Sequence, residues 1–343
     1  MATFSFATTA DTDRLMRFMH QQWRKDHILS RNKELFLYDF QEGDRLNIAI
    51  ATDDGNELIG IFGFMKYSSE DVSDIAGSLW KASDEAGEPM LGLKLRAYTV
   101  KSIPHRIFAA PGAGLQTRPI YHFIHMDWIE MQQHFILNPT LPTYQLAVIP
   151  PTFAQRVAKP VEPNRARNIS VHPITKPEQL RNFPFHSFTT IAPFKDWNYL
   201  KKRFFEHPIY PYDVYLTRQD GEPICITVCR TARHQHSSAY RIVDFYGNEA
   251  GLPGTVHHLS DVMMDSGHEY IDFICTGFDK EILARSGFSE LDLNQNEVIV
   301  PNYFEPFVKK NVHVYAVADK TQCLRLRLCK ADRDQDRPNT QLQ

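Results

Sequence analysis

Two apolar stretches separated by a polar turn occur near the start of each half of the chain. The first is "NIAIATDDGNELIGIFGFMKY" and the second is "DVYLTRQDGEPICITVCRTA". Each places strand-like residues on both sides of an Asp-Gly dipeptide, Asp54-Gly55 in one and Asp220-Gly221 in the other. An Asp-Gly turn between such runs is a strong hairpin signal, so the pattern predicts an antiparallel strand pair in both halves.

The elements after the hairpin recur in the same order. Each half continues with a third strand, an Ala-Gly-x-Pro turn, a helix, a fourth strand and a second helix. Matching positions keep a nearly constant offset, 166 residues between Gly55 and Gly221 and 164 between Pro89 and Pro253. A constant offset over several elements indicates an internal repeat. We therefore predict an α/β fold (an α+β mixed sheet) in which antiparallel strands lead into a β-α-β crossover.

The distribution of proline and charge predicts where the two copies end. A chain of 343 residues is long enough for two domains. Residues 150–170 are rich in proline and polar residues, which predicts a linker between an N-terminal domain at 1–149 and a C-terminal domain at 171–329. Residues 330–343 are charged and lack apolar periodicity, so we expect a disordered tail.

Composition narrows the function classes. The formal net charge of −3 predicts that the chain does not bind nucleic acid, because proteins that do so present a basic face. No apolar run approaches the roughly 18–20 residues of a membrane span, and the N-terminus lacks the basic flank and apolar core of a signal peptide. Five cysteines without a Cys-x-x-Cys pair favour a reducing compartment, so we expect a cytoplasmic protein.

The stretch "WKASDEAGEPMLGLKLR", Trp80 to Arg96, has the layout of a phosphate-binding loop. A strand ends, a turn of small residues follows, and a helix begins near Met90. The first backbone N–H groups of a helix lack partners and carry positive dipole, so they can bind a diphosphate. Gly92 would allow close approach and Lys94 would add charge, although the turn could also simply begin a helix. A Rossmann site is disfavoured, since its glycine spacing is missing.

The order of elements resembles a tandem member of the GNAT superfamily, the Gcn5-related acyltransferases. More narrowly, the first half resembles acyltransferases of surface-polysaccharide amino-sugar biosynthesis, with lipopolysaccharide and O-antigen synthesis among those pathways. The stretches that carry the narrower resemblance are "WRKDHILSRNKELF", "LWK", "PMLGLKL" and "PIYHFIHMDWIEMQQHFILN". The superfamily's phosphate-loop pattern, Gln/Arg-x-x-Gly-x-Gly/Ala, is only partly met, because Gly87 and Gly92 are spaced differently and Pro89 intervenes.

The resemblance implies that acetyl-CoA or another acyl-CoA is a co-substrate. It places this acyl carrier against the end of the third strand, the loop after it and the first turn of the helix. The residues implied are Leu79, Trp80, Lys81, Gly87, Leu91, Gly92, Leu93 and Lys94. Trp80 has the alternative role of a core aromatic.

The same resemblance implies a general acid that protonates the leaving group of the acyl transfer. Tyr121, on the last helix of the first half, would protonate the departing thiolate, although a packed helix tyrosine is an equal alternative. The matching position in the second half is Leu283, which favours the first half as the catalytic copy. Five histidine and carboxylate residues are candidates for the general base, namely His27, Glu70, Asp71, Asp74 and His258. Of these, His27 and Asp74 are preferred.

The acceptor implied is the amine of a nucleotide-linked amino sugar, bound in part by Ser30, Asn32 and His258. Ser30 has the alternative role of a helix N-cap. His234 and His236 form a His-x-His in a polar loop without a third zinc ligand, so we expect no metal. Two other functions stay open, a tRNA-dependent aminoacyl transferase and a non-catalytic GNAT-like binding protein. A homo-oligomer is compatible with the sequence.

Overall fold

A computed structural model of the chain describes residues 2–159, 161, 168–320 and 323–339. The helices of the first half are α1 (Thr12–Phe18), α2 (Lys33–Phe40), α3 (Leu91–Ser102), α4 (Arg118–Phe123) and α5 (Pro151–Val157). Its strands are β1 (Thr3–Thr8), β2 (Gln41–Glu42), β3 (Arg45–Thr52), β4 (Leu58–Lys66), β5 (Ile75–Ala82), β6 (Phe108–Ala109) and β7 (Asp127–Leu137).

The second half follows the same plan and ends in several short strands. Its helices are α6 (Trp197–Leu200), which continues into a π-helical turn (Lys201–Phe205), α7 (Leu252–Ser266) and α8 (Lys280–Arg285). Its strands are β8 (Ile169–Ile174), β9 (Ile191–Ala192), β10 (Asp213–Gln219), β11 (Glu222–His234), β12 (Ser237–Gly247), β13 (Tyr270–Thr276), β14 (Ser289–Glu290), β15 (Tyr303–Phe304), β16 (Phe307–Val308), β17 (Val314–Ala318), β18 (Arg325–Leu326) and β19 (Leu328–Cys329).

Both predicted hairpins form, and both lead into the predicted crossover. β3 pairs antiparallel with β4, and β10 pairs antiparallel with β11. Asp220 and Gly221 have φ of 52° and 87°, the left-handed conformation that a two-residue hairpin turn requires. The crossovers through α3 and α7 end in parallel pairs, β5 with β6 and β12 with β13. The mixed α/β fold that we predicted from the order of elements is therefore confirmed.

The two copies also share a β-bulge at the same place. In the first copy the register between β4 and β5 shifts between Phe62 and Phe64, and in the second copy the register between β11 and β12 shifts between Val228 and Cys229. In both cases the extra residue lies on the third strand of the copy. A bulge bends its strand and increases the local twist. Beyond the bulge each third strand stays paired with the second strand of its copy, while its pairing with the fourth strand has already ended.

Strand exchange joins the two copies into one continuous sheet. The strand order is β1-β3-β4-β5-β6-β17-β7-β13-β12-β11-β10-β8. β17 comes from the second half but lies between β6 and β7, and it pairs antiparallel with both. β7 comes from the first half, yet it also pairs antiparallel with β13 of the second. Each half of the sheet is therefore completed by a strand from the other half of the chain.

Helices cover both faces of the sheet in the first copy. α1 and α2 pack on one face around a core that includes Phe36 and Leu79. α3 and α4 pack on the other face around a core that includes Leu91 and Tyr121. Removing apolar surface from water on both faces stabilises this layered arrangement. As a result β5 lies between two separate cores.

The predicted disorder of residues 330–343 is wrong for residues 330–339, the part that the structure describes. Lys330, Asp332 and Asp336 are buried, and short 3-10 turns form at Lys330–Asp332 and Asp334–Asp336. Asp336 accepts hydrogen bonds from Arg230 at 2.7 and 3.0 Å. The charges that resemble those of a disordered tail are therefore paired inside the protein, where an unpaired charge would be costly.

The predicted linker is partly helical. Residues 151–157 form α5, which begins with Pro151 in its first turn, where the missing N–H of proline costs little. Positions 160 and 162–167 of this linker, and positions 340–343 of the predicted tail, lie outside the described residues. No helix in the described part of the chain combines the length and apolarity needed to cross a membrane.

Candidate active site

β5 and β6 of the first copy pair over only two residues each, and the place where they separate is here called the β5–β6 cleft. Parallel pairing joins only Ile75 to Phe108 and Ala76 to Ala109. A Cβ at Gly77 would lie 2.6 Å from the Phe108 ring, so glycine lets that ring pack where the divergence begins. Beyond this point β5 leads away from β6 towards the start of α3. This is the strand whose end, by the sequence resemblance, would contact the acyl carrier.

The predicted phosphate-binding turn connects β5 to α3. Gly87 and Met90 both have left-handed backbone conformations, with φ of 62° and 57°, and the helix begins at Leu91. No side chain among the described residues caps this helix N-terminus. Its first backbone N–H groups are therefore candidate donors to a diphosphate.

Trp80 ties the end of β5 to the first turn of α3. Its indole Nε1 donates to the carbonyl oxygen of Gly92 at 3.0 Å. A Cβ at Gly92 would lie 3.0 Å from the same nitrogen, which is tighter than ordinary contact. Gly92 therefore makes room for Trp80, whereas we predicted that it would make room for a diphosphate. Trp80 is half-buried and also packs edge-on against Phe62, with ring centroids 5.7 Å apart.

The two lysines predicted at the cofactor site are paired with acids of the same turn. Lys94 forms an ion pair with Glu88, and Lys81 Nζ lies 3.0 Å from Asp84 Oδ2. The hydrogen bond and charge of Lys94 lower the pKa of Glu88, so this carboxylate is ionised at neutral pH. A diphosphate at α3 would therefore meet a lysine whose charge is already balanced.

The predicted leucines lie on different faces of the sheet. Leu79 is buried in the core beneath α1 and α2, whereas Leu91 is buried on the α3 side. Leu93 is half-buried in the first turn of α3. Because the side chain of Leu79 is buried, only the backbone of this residue can contact a ligand in the β5–β6 cleft.

Tyr121 meets Trp80 where β5 leaves β6. The two rings contact edge-on with centroids 5.6 Å apart, and Tyr121 is 5% exposed. Burial raises the pKa of Tyr121 to about 12, although Arg96 opposes the shift. The phenol is therefore protonated at neutral pH, as a proton donor must be. The structure thus brings together two of the residues that we predicted for the site.

Arg96 is a site residue that the sequence analysis missed. It lies on α3 and is buried, with its guanidinium 4.5 Å from the centre of the Phe108 ring. Its Nη2 lies 3.0 Å from the sulfur of Met126. Burial lowers the pKa of Arg96, and the nearby Tyr121 raises it. The sequence signal was an arginine among the apolar residues of "LGLKLRAYTV".

Asp74 joins the two halves of the chain and does not face a ligand. It is 1% exposed, and Arg106 Nε donates to its Oδ1 at 3.0 Å. The backbone N–H of Phe194 donates to its Oδ2 at 2.8 Å. Arg106 also donates to the carbonyl oxygens of Thr189 and Ile191. Because both carboxylate oxygens bind structural partners, we withdraw Asp74 as a candidate base.

His27 lies at the start of a 3-10 turn, Ile28–Ser30, and is 4% exposed. Its Nδ1 accepts from the backbone N–H of Leu29 at 3.2 Å. Its Nε2 lies 3.0 Å from Nη2 of Arg337, in residues 323–339, here called the C-terminal segment. Both ring nitrogens therefore contact donors, and this arrangement favours a structural role over that of a general base.

Ser30 and Asn32 use their side chains on the local backbone. Ser30 Oγ donates to the carbonyl oxygen of His27 at 2.7 Å. Asn32 Oδ1 accepts from the backbone N–H of Leu35 at 2.9 Å and so caps α2. The N-cap that we considered for Ser30 therefore belongs to Asn32. A substrate contact by either side chain stays a prediction.

The remaining candidates lie away from these residues. Glu70 and Asp71 are exposed in the loop between β4 and β5. His258 lies on α7 of the second copy, where its ring contacts Tyr215 edge-on with centroids 5.4 Å apart. Within the described ranges, no contact brings His258 to the β5–β6 cleft.

The chain's own C-terminal segment fills the corresponding cleft of the second copy. β12 pairs with β13 only from Tyr240 to Ile242, and β19 pairs with the end of β13. Arg327 is 4% exposed and donates to the carbonyl oxygen of Gly247 at 2.8 Å. It also lies 3.4 Å from Glu249, in the turn before α7. An Arg–Glu pair thus occupies the turn that would hold a diphosphate in this copy.

A buried ion cluster fixes the C-terminal segment further along. Lys195 Nζ lies 2.5 Å from Asp244 Oδ1 and 2.6 Å from Asp332 Oδ1. Together with Cys329, the two carboxylates form a group that could hold a metal ion. The ammonium of Lys195 already places a positive charge between these carboxylates, so we interpret the cluster as an ion-pair network.

Comparison with known proteins identifies the fold. No protein-family model and no curated protein sequence matches the chain. It is similar to the solved structure of a GCN5-related N-acetyltransferase from Anabaena variabilis ATCC 29413, with a TM-score of 0.57 and 11% identity, over 93% of this chain and 72% of that one. It is also similar to a conserved protein of Enterococcus faecalis V583, described as a probable N-acyltransferase, with a TM-score of 0.54, 9% identity and coverage of 93% and 72%. The chain therefore has the GNAT fold that its sequence predicts.

Proposed function

We propose that the chain is a CoA-dependent N-acyltransferase whose first copy holds the acyl-CoA. The observation that carries the proposal is the contact of Trp80 with Tyr121 at the β5–β6 cleft, beside the N-terminus of α3. The GNAT resemblance implies that the thioester arm of the carrier enters this cleft and that its diphosphate binds the helix N-terminus. Acetyl is the simplest acyl group for such a transfer.

The chemistry that we propose is direct displacement at the thioester. The neutral amine nitrogen attacks the carbonyl carbon, the carbon–sulfur bond breaks, and the departing thiolate takes a proton. Tyr121, whose phenol is protonated at neutral pH, donates this proton and then regains one from solvent. A backbone N–H of β5 polarises the carbonyl oxygen. The proton lost by the amine passes to solvent, since Asp74 and His27 are both held by structural partners.

The second copy is proposed to support the first and not to bind CoA itself. β19 lies at the end of β13, and Arg327 with Glu249 fills the turn before α7. The position that matches Tyr121 is Leu283, a buried side chain without a proton to donate. These three features favour a single acyl-CoA site in each chain.

The acceptor that we propose is the amine of a nucleotide-linked amino sugar, modified in the cytoplasm as a step of surface-polysaccharide biosynthesis. This narrower proposal rests on the sequence resemblance of the first half. A free amine is required, because the direct mechanism uses the lone pair of the nitrogen.

Two measurements test this function. Isothermal titration calorimetry of the full chain with acetyl-CoA is expected to show one binding site. Absence of binding would reject the proposal. A thiol-release assay with acetyl-CoA and nucleotide-linked amino sugars is expected to show turnover. The matched control is the same sugar with its amine already acetylated, which should give no release above the rate with acetyl-CoA alone.

A further inference from the structure

A cavity lies between the two copies, on the α2 side of the sheet. Its volume is about 280 Å³, and its walls come from three parts of the chain. The first copy contributes the end of α2 with β3 and β4, the second copy contributes Lys202, Arg203 and neighbouring residues, and the C-terminal segment closes one side. We call this cavity the inter-copy pocket.

Cationic side chains outnumber carboxylates in the inter-copy pocket. Five cations line it: Lys66, Lys202, Arg203, Arg333 and Arg337. Three carboxylates line it: Asp39, Glu42 and Asp336. The pocket therefore carries a positive excess, although the chain as a whole has a formal net charge of −3. A concave surface with charge of one sign concentrates ligands of the opposite sign.

The carboxylates of the pocket already have partners. Asp336 Oδ1 accepts from Arg230, which lies outside the lining, at 2.7 and 3.0 Å. Glu42 Oε1 accepts from Lys66 at 2.8 Å, and Asp39 Oδ2 lies 3.6 Å from Arg333. Two of these carboxylates therefore balance lining cations, while the charge of Asp336 is balanced mainly by Arg230, outside the pocket, with a further contribution from Arg203.

Lys202 is the cation that a ligand would reach most directly. It is exposed at the pocket, and its ammonium lies 5.5 Å from the centre of the Tyr38 ring. The hydroxyl of Tyr38 donates to the backbone carbonyl of Lys202 at 2.6 Å, which fixes this stretch of backbone. In the described ranges of the chain, no carboxylate lies within salt-bridge distance of its ammonium.

The inner wall of the pocket reaches the bulge of β5. The guanidinium of Arg333 lies 5.0 Å from the centre of the Phe40 ring. Phe40 in turn contacts Gly63, where a Cβ would lie 2.9 Å from the ring and 3.3 Å from Leu79 Cβ. Gly63 lies opposite the β5 bulge, so a chain of direct contacts connects the inter-copy pocket to the strand that forms the β5–β6 cleft.

The pocket also has surface for an uncharged part of a ligand. Tyr38, Met65 and Tyr199 contribute apolar surface to its lining. Burial, with a smaller contribution from Arg203, lowers the pKa of His207 to about 3, so this ring is neutral at physiological pH. A ligand would therefore meet both cations and neutral rings.

We propose that the inter-copy pocket binds an anionic group, phosphate or carboxylate, of a small molecule, with Lys202 and Arg333 as its main contacts. We assign this small molecule as the acceptor of acyl transfer, an assignment that rests on the proposed function. The pocket lies on the α1–α2 side of β5, whereas Trp80 and Tyr121 pack on the α3–α4 side. The two substrates then approach the strand from opposite faces.

Isothermal titration of the full chain, with saturating CoA present, tests the anion site with inorganic pyrophosphate and with malonate as probes. We expect at least one probe to bind, and the stronger one identifies phosphate or carboxylate as the preferred group. Replacement of Lys202 by Gln is expected to weaken binding about tenfold, the usual effect of one charge-assisted hydrogen bond. Lys201→Gln is the matched control, because Lys201 pairs with Glu206 and does not line the pocket.

A second variant changes affinity in the opposite direction. Glu42→Gln removes an exposed negative charge from the lining and is expected to tighten probe binding about threefold, a typical effect of one surface charge. Failure of both probes to bind would overturn the proposal. Equal affinity of the wild-type protein and Lys202→Gln would also overturn it.

The outcome separates this proposal from the proposed function. Probe binding that depends on Lys202, in a protein that does not bind CoA, would retain the anion site and reject acyl transfer. Active enzyme in which Lys202→Gln raises the KM for the acceptor, with the KM for acetyl-CoA unchanged, would support both. An unchanged acceptor KM in that variant would overturn the assignment of the pocket to the acceptor.

Discussion

The indole N–H of Trp80 donates to the carbonyl oxygen of Gly92 over 3.0 Å, which links the end of β5 to the first turn of α3. The same contact explains why position 92 is glycine, since a Cβ there would press on the indole nitrogen. The position of the candidate diphosphate donors thus depends on the packing of one aromatic side chain.

Gly92→Ala is expected to destabilise the fold by about 1–3 kcal/mol, the usual cost of forcing an extra carbon into a packed site. The variant should also weaken acetyl-CoA binding, because the displaced Trp80 would shift the first turn of α3. Thermal denaturation and isothermal titration measure the two effects. In the double variant with Trp80→Ala the added methyl has space, so its effect on stability should largely disappear. Simple additivity of the two substitutions would contradict this account.

Glu88→Gln is expected to tighten acetyl-CoA binding by about threefold, a change typical of one surface charge. The substitution removes a negative charge beside the N-terminus of α3 and leaves Lys94 available to a diphosphate. The gain should shrink as salt is added, because exposed charges are screened. Glu85→Gln is the control, as Glu85 lies in the same turn and is exposed, while Lys94 pairs with Glu88. Equal effects of the two substitutions would show that the Glu88–Lys94 pair is not involved.

Tyr121→Phe is expected to lower kcat by about 10²–10⁴-fold, the contribution typical of a general acid. The affinity for acetyl-CoA should change little, because the ring and its contact with Trp80 are kept. Turnover is measured by thiol release and affinity by titration. Tyr98→Phe, on the neighbouring helix α3, is the control for loss of a phenol outside the cleft. A fully active Tyr121→Phe enzyme would remove Tyr121 from the mechanism.

Asp336 is expected to make the stability of the fold sensitive to acid. Burial alone would raise its pKa, but Arg230 and Arg203 lower it well below the usual value. Its folded pKa is therefore below its unfolded pKa of about 3.9. The ionised carboxylate stabilises the fold above that pH, and this stabilisation is lost as the pH falls further. At pH 7, Asp336→Asn should lower the free energy of unfolding by about 3–5 kcal/mol, because Arg230 loses its partner.

Denaturant unfolding of the wild-type protein and of Asp336→Asn at several pH values checks this prediction. The difference between them should narrow below about pH 4, the range in which an ordinary aspartate is protonated. Asp265→Asn, at an exposed position on α7, provides a control that should follow the wild-type curve. A difference that stays constant down to pH 2 would show that the ionisation of Asp336 does not stabilise the fold.

Local sequence patterns predicted the repeated part of the fold because its signals lie close together in the chain. The Asp220-Gly221 turn, for example, needs only two residues with positive φ between two apolar runs. The exchange of β17 could not be predicted in this way. Val314 pairs with Met131, and no local pattern reports a contact between residues so far apart in the sequence.

The candidate site shows the same division between local and distant signals. Trp80 and Tyr121 were predicted for the site separately, one as a cofactor-binding residue and one as a proton donor, and their contact with each other was not predicted. The role of Asp74 was not predicted either, since its partner Arg106 lies 32 positions away and nothing beside Asp74 marks it as buried. The C-terminal segment was misjudged for a similar reason, because its charges find their partners in distant strands.

The position of β17 between β6 and β7 has a consequence for the history of the chain. A repeated domain that keeps its own last strand can be deleted or relocated without disrupting the sheet of the other copy. When the two copies exchange a strand, deletion of either copy leaves an unpaired strand edge in the sheet of the other. Selection therefore acts on the two copies together.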